Sequence, residues 1–340
     1  GQDELLFDGC GFALAANSQP LLQTAAFSTD LSYIDLSVLL SAKPAWAAPD
    51  FQAWPSAEAE IWQALVLGVR DYVRKNGFSR VALGLSGGID SALVAALAVD
   101  ALGADQVHTV MMPSPYTADI SWQDAHELAQ RCGIQHDEIS IAPTFAAIKA
   151  SLAALFGQRP EDVTEENMQA RIRGLMLMAL SNKTGALILS CGNKSEYATG
   201  YCTLYGDMCG AFAPIKDVFK TQVFALARWR NANNPFDTVN APIPERIITR
   251  PPSAELRPGQ IDQDSLPPYE ILDALLQQHM ETGAGAAELI AAGFQPEITQ
   301  KILRLIRINE YKRSQAAPGT RISRRAFGRD WRLPLTQKFL

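Results

Sequence analysis

One nine-residue stretch, Leu83-Gly84-Leu85-Ser86-Gly87-Gly88-Ile89-Asp90-Ser91, narrows the folds open to this chain more than any other feature. The apolar run Val81–Leu85 reads as a buried strand, and the alanine-rich run Ser91–Leu102 reads as a helix. A strand that turns into a helix through two glycines belongs in an open parallel sheet, where ligands gather at the carboxyl ends of the strands. Gly87 and Gly88 let the backbone approach an anion closely, and the helix start adds unpaired N–H groups and the positive end of its dipole. Ser86 and Ser91 contribute hydroxyl donors. Asp90 stands out, because a carboxylate beside a phosphate repels it. A divalent cation between the two resolves the conflict, and Mg²⁺ with oxygen ligands suits the place. The common phosphate loop ends in Gly-Lys-Ser/Thr, and no lysine occupies that position here.

The surrounding pattern repeats the theme. Ala57–Lys75 carries apolar residues at helical spacing, Val107–Met112 is strand-like, Asp119–Arg131 helical, Ile134–Ile141 strand-like and Pro143–Phe156 helical. Asn167–Leu180 reads as a helix and Ala186–Ser190 as a strand, and two amphipathic helices follow near Tyr269–Glu281 and Pro296–Lys312. Strands alternating with helices predict an α/β fold: a doubly wound parallel sheet with flanking helices. The first 40 residues differ. Glu4–Asp8, Gly11–Ala15, Leu21–Ala26 and Leu31–Leu36 read as short strands between turn residues, too few to close a core alone, and look like the edge of another domain. Lys43–Pro55, rich in Ala and Pro, reads as a linker.

Composition removes several classes. With 47% apolar residues, the chain can bury a core. Thirty basic against 36 acidic residues leave a net charge of −6, a poor match to nucleic acid. No run approaches the roughly 18 apolar residues of a membrane span, and the opening residues do not read as a charged-then-apolar signal peptide. Five cysteines without a CxxC pair point away from disulfides or zinc and towards a cytoplasmic protein.

A second block, Leu189-Ser190-Cys191-Gly192-Asn193-Lys194-Ser195-Glu196-Tyr197-Ala198-Thr199-Gly200-Tyr201-Cys202-Thr203-Leu204-Tyr205-Gly206-Asp207-Met208, leaves another expected strand as a polar, glycine-punctuated loop. The Ser-Gly-Gly-x-Asp-Ser loop resembles that of the N-type ATP pyrophosphatases (adenine nucleotide alpha hydrolase-like fold), and the second block resembles the glutamine-dependent NAD synthetases among them. Further similar segments are Thr164–Arg173, Ala213–Thr221, Pro252–Leu256, Asp262–Pro267, Asn309–Arg313 and Arg324–Asp330, so the resemblance runs from about Ser56 to the end. Gly1–Gly9 is similar to the closing stretch of the nitrilase-like glutaminase domain that precedes the synthetase in this family. The resemblance thus implies a glutaminase remnant over 1–41, a linker over 42–55 and an NAD synthetase domain over 56–340. The glutaminase Glu, Lys and Cys would lie upstream of Gly1; Cys10 follows the matched stretch and reads as a small core or edge residue.

The resemblance implies ATP-dependent amidation of nicotinic acid adenine dinucleotide (deamido-NAD) to NAD. An acyl-adenylate forms and ammonia, normally drawn from glutamine, attacks it. Gly84, Leu85, Ser86, Gly87, Gly88, Ile89, Asp90 and Ser91 would carry ATP, together with Cys191, Lys220 and Ser253. Cys191 stands where the family usually has threonine, and a thiol is a weaker hydrogen-bond partner than a hydroxyl. Asp90 and Glu196 would hold Mg²⁺, and Asp90, Glu196 and Lys220 would be catalytic. Asn167, Arg171, Glu196 and Lys312 would meet deamido-NAD, whereas Arg173 lies elsewhere around its helix. A homodimer of synthetase domains is the implied assembly, without nucleic acid or membrane. Two alternatives stay open: another adenylating amidotransferase of the GMP synthetase type, and a non-catalytic nucleotide-binding module.

Overall fold

Strands buried on both faces read as near-continuous apolar runs, and Val81–Gly84 is one. The structure is a computed structural model that describes residues 1–36, 55–257 and 259–336. A hairpin of β1 (Phe12–Leu14) and β2 (Pro20–Gln23) opens the chain. After it come α1 (Ala57–Lys75), β3 (Val81–Gly84), α2 (Ile89–Leu102), β4 (Val107–Met111), α3 (Asp119–Cys132), β5 (Gln135–Glu138), α4 (Ala142–Phe156), α5 (Val163–Thr184) and β6 (Leu187–Ile188). Beyond the sheet lie α6 (Lys194–Thr199), α7 (Lys220–Ala232), α8 (Glu245–Thr249), α9 (Tyr269–Thr282), α10 (Ala286–Ala291), α11 (Pro296–Ile308) and α12 (Glu310–Arg313).

The main sheet runs β5-β4-β3-β6, parallel throughout. From β3 the chain steps outward to β4 and β5, then returns to β6 on the other side of β3. That reversal opens a crevice at the carboxyl ends of the strands. Alternate residues of β3 serve different cores. Val81 and Leu83 pack with α1, α2 and α7, while Ala82 packs with α4 and α5. Both faces are thus covered, as the alternating pattern of strands and helices predicts.

α1, α2 and α7 share a buried ion pair. Arg230 of α7 donates from Nε and Nη2 to Asp100 of α2 at 2.7 and 2.9 Å, and the Trp62 indole of α1 donates to the same carboxylate at 2.9 Å. A third core gathers α9, α11 and α6, joining Leu272, Leu276 and Ile302 to Tyr197 and Ala198. Among the described residues no helix is long and apolar enough to cross a membrane.

Several elements depart from the sequence reading. Of the four expected N-terminal strands only the second and third form; 4–8 and 31–35 make no strand. In these two segments Phe7 and Tyr33 stand exposed. The expected linker falls almost wholly outside the described residues. The helix expected over Asn167–Leu180 begins earlier, at Val163. Asp162 and Glu165 form a reciprocal capping box that periodicity alone does not reveal. The helix expected over Pro296–Lys312 breaks at Asn309, whose side-chain amide donates to the Thr199 and Leu305 carbonyls at 2.9 Å each. The loop expected after β6 contains α6, one and a half turns held by a capping box between Asn193 and Glu196.

Candidate active site

A cavity of about 300 Å³ lies in the crevice at the carboxyl ends of β3, β4 and β6. The glycine loop forms one wall. Ser91 Oγ accepts from the Ser86 amide at 3.2 Å and donates to the Gly88 carbonyl at 3.1 Å, while Ser86 Oγ accepts from the Gly88 amide at 3.2 Å. The two serine hydroxyls therefore brace the loop from inside. Gly87 has φ +77°, and a Cβ there would lie 2.2 Å from the Ser121 carbonyl oxygen at the start of α3. Only glycine fits. No side chain caps α2 at Gly88, so its first-turn N–H groups are left for a ligand.

Opposite the loop sits a knot of charge. Asp90 in the first turn of α2 pairs closely with the Lys220 ammonium, and Glu196 Oε1 lies 3.6 Å from that same nitrogen. Asn193 ties the group together: its Oδ1 accepts from the Glu196 amide at 3.0 Å, and its Nδ2 donates to Asp90 Oδ1 at 3.0 Å. Asp262, held by the Tyr269 hydroxyl at 2.7 Å, also lines the cavity, and Lys220 Nζ lies 5.4 Å from the centre of the Tyr269 ring. Burial, then the Asp90 charge, pushes the Glu196 carboxyl up to about 8. For Lys220, burial alone would lower the pKa, but Asp90 and Glu196 outweigh it and hold the amine charged. At neutral pH Glu196 is largely protonated, so Asp90 and Asp262 face one ammonium and negative charge is left over. Oxygen donors with an excess of negative charge fit a hard divalent cation. Among the described residues no group of three or more His, Cys, Asp or Glu side chains could by itself hold a metal ion.

The structure brings Gly84, Leu85, Ser86, Gly87, Gly88, Ile89, Asp90, Ser91, Cys191, Glu196, Lys220 and Ser253 to one cavity wall or another. Burial, then Asp90 and Glu196, raises the Cys191 thiol, so it stays protonated. Ser253 already has partners, donating to the Gln260 carbonyl at 2.5 Å and accepting from the Glu255 amide at 3.2 Å. Asn167, Arg171 and Lys312 do not line the cavity. They hold the loop behind it: Asn167 accepts from Thr203 at 2.8 Å, Arg171 donates to the Leu204 carbonyl at 3.2 Å, and Lys312 donates to the Gly200 and Cys202 carbonyls at 2.7 Å each. Sequence reasoning passed over Arg173, Arg250 and Asp262, all of which line the cavity. Arg250 reaches Ser121 Oγ at 2.6 Å and Glu255 at 2.5 Å.

A parallel sheet with a glycine loop, a helix N-terminus and a lysine brought from a distant helix defines a nucleotide-binding α/β domain of the ATP pyrophosphatase type. The chain belongs to the NAD synthase family, whose model matches residues 61–316. It is 50% identical over 335 residues to the glutamine-dependent NAD(+) synthetase of Acinetobacter baylyi, which is 98% of this chain and 61% of that protein. The chain therefore spans about three fifths of the curated relatives it matches. The solved glutamine-dependent NAD+ synthetase of Acinetobacter baumannii, in complex with adenosine diphosphate, matches at TM-score 0.68 and 47% identity, over 98% of this chain and 60% of that one. The NMN synthetase of Francisella tularensis matches at TM-score 0.62 and 28% identity, over 74% of this chain and 94% of that one.

Proposed function

We propose that this chain carries the amidating half of a glutamine-dependent NAD synthetase. It would convert deamido-NAD to NAD with ATP in the last step of NAD biosynthesis. The supporting observation is the Lys220 ammonium, set among Asp90, Glu196 and Asp262 at the head of the glycine loop, in a chain of the NAD synthase family. A nicotinate carboxylate oxygen bonds to the α-phosphorus of ATP, and the bond from that phosphorus to the bridging oxygen breaks, releasing pyrophosphate. Ammonia then bonds to the acyl carbon, sheds a proton, and AMP leaves with the C–O bonding pair. No protein nucleophile is needed; positioning and charge carry the chemistry. The N–H groups of the Gly84–Ser91 loop and the Ser86 and Ser91 hydroxyls hold the leaving phosphates, and Lys220 offsets charge on the reacting phosphate. Mg²⁺, held by Asp90 and Glu196, would supply further charge neutralisation on the phosphates. Asn167, Arg171 and Lys312 would act on deamido-NAD through the loop they anchor, with Cys191 and Ser253 offering contacts to ATP.

In this reading residues 1–41 close a nitrilase-like glutaminase domain, 42–55 link it, and 56–340 form the synthetase. Glutamine is the nitrogen source of the whole protein, which is a cytoplasmic homodimer. The test is to supply the 340-residue chain with ATP, Mg²⁺, ammonium chloride and deamido-NAD. Equimolar NAD and AMP are expected, with no NAD when glutamine replaces ammonium. Turnover of the deamidated mononucleotide in preference to deamido-NAD would reassign the substrate to that of the Francisella relative. ATP binding without AMP release would leave only a binding module.

The loop yields a separate prediction. Gly87→Ala places a methyl against the Ser121 carbonyl and adds about 1–2 kcal/mol of left-handed strain. ATP affinity measured by titration calorimetry is expected to fall at least tenfold. Binding equal to the parent would mean the loop does not carry the phosphates.

A further inference from the structure

We propose that Arg173 is a ligand-binding residue of this site, whose guanidinium takes an anionic phosphate oxygen of the bound nucleotide from the side opposite Lys220. The proposal rests on the function proposed above, and its test separates the two. Arg171 and Arg173 sit two residues apart on α5, turned roughly 200° around the helix. Arg171 is exposed and spends its Nε on the Leu204 carbonyl. Arg173 faces the cavity, and its Nε donates to the Met112 carbonyl at 2.9 Å, just past the end of β4. That bond fixes the guanidinium to the sheet, so little freedom remains to be lost when a ligand arrives.

Beyond that bond, Arg173 has no further partner among the described residues. Among the described residues its terminal nitrogens make no hydrogen bond, and no carboxylate lies within 4.0 Å to form an ion pair. Other arginines held inside this protein are matched. Arg230 grips Asp100 at 2.7 Å, Arg313 pairs with Glu310 at 3.0 Å, and Arg250 at the cavity pairs with Glu255 at 2.5 Å. The guanidinium is half-buried against the cavity, and a ligand there would supply the counter-charge it lacks. Burial draws the Arg173 pKa down to about 10, which still leaves it charged at neutral pH. The acids it feels, Glu255 and Asp207, are engaged elsewhere: Glu255 by Arg250 and Ser121, Asp207 by the Thr203 amide at 2.7 Å.

Position selects the ligand group. α5 covers the sheet face lined by Ala82, Val110 and Ile188, while α7, which begins with Lys220, covers the face lined by Val81 and Leu83. The two cations thus reach the crevice from opposite faces of the sheet, with the glycine loop between them. A planar fork with free N–H groups suits two oxygens of one phosphate. Both proposed substrates carry phosphates, so the test has two arms.

Titration calorimetry of Arg173→Gln with ATP alone and with deamido-NAD alone is expected to show at least a tenfold loss for one ligand. The other should remain near parental affinity, with the melting temperature within a few degrees of the parent. Arg173→Lys, which keeps the charge and loses the fork, is expected to recover part of that affinity. In turnover, KM for the affected ligand should rise more than kcat falls. Parental affinity for both ligands in Arg173→Gln overturns the proposal, as does an equal loss for both in Arg173→Lys with a matching fall in melting temperature. Failure of the parent to form NAD removes the proposed reaction, while a selective loss of ATP affinity in Arg173→Gln still locates Arg173 on the nucleotide.

Discussion

Lys220→Ala is expected to slow AMP formation by about 10³-fold, the scale of removing one preorganised charge from a phosphoryl or acyl transfer site. Lys220 is only 2% exposed, and two carboxylates crowd its nitrogen. A lysine so surrounded is neither a solvated surface charge nor an idle partner, because the negative charge about it exceeds its own. Asp90 alone would satisfy it. Asp262 adds charge that a phosphate ligand and a divalent cation can rearrange. Removing the amine leaves Asp90 without its ion-pair partner and Asp262 without that nearby cation, and both repel an incoming phosphate. The deficit should appear in kcat and in ATP affinity together. Lys220→Met, which keeps much of the stem against the Tyr269 ring, should be as inactive as Lys220→Ala while melting closer to the parent. A Lys220→Ala enzyme within tenfold of parental kcat/KM would move the chemistry elsewhere in the cavity.

Lys220 also shows what a sequence discloses. The glycine loop was legible because everything it needs is local: a strand, two glycines, two serines and a helix start within nine residues. The alternation of strands and helices made the parallel sheet legible for the same reason. The charge knot is not local. Asp90 and Lys220 are 130 residues apart, and only their resemblance to a known family placed them together. Asn193 was passed over, although one amide both caps α6 and fastens Asp90. Arg173 shares its helix with Arg171, and the sequence pattern alone does not tell which of the two meets the cavity. Helical phase separates the two arginines, but it does not say which side the cavity lies on until β4 and α5 are seen together. Asn309 is a comparable case. Its amide meets the Thr199 carbonyl, and a Cβ on Gly200 would fall within 2.0–2.5 Å of it, so the break in the last long helix is dictated by a residue more than 100 positions away. At the N-terminus the local signal misled: 4–8 and 31–35 read as short strands, but among the described residues they pair with no strand.

Arg230→Ala is expected to destabilise the protein by about 3–5 kcal/mol, the cost of leaving a buried charge without its partner. Asp100 has a side chain 0% exposed and Arg230 one 1% exposed, and the pair is bidentate. The guanidinium also donates to the Asn233 carbonyl at 2.8 Å, the Val239 carbonyl at 2.9 Å and the Thr238 hydroxyl at 2.9 Å, so the chain leaving α7 folds around it. Alanine would strand the Asp100 carboxylate with only the Trp62 indole and the Thr238 hydroxyl as donors. At roughly 2–4 °C per kcal/mol, the melting temperature should fall by about 6–20 °C. A double-mutant cycle separates the pair from its shape. Asp100→Leu combined with Arg230→Met should be far less damaging than either single change, because the desolvation cost leaves with both charges. The effect should also reach the site. Arg230 lies near the end of the helix that Lys220 begins, so a loosened α7 lets the ammonium drift from Asp90 and Glu196. Arg230→Ala held well below its melting point should therefore lose kcat and ATP affinity together, less severely than Lys220→Ala. A variant with parental melting and parental kcat would show that this ion pair neither holds the three helices together nor positions Lys220.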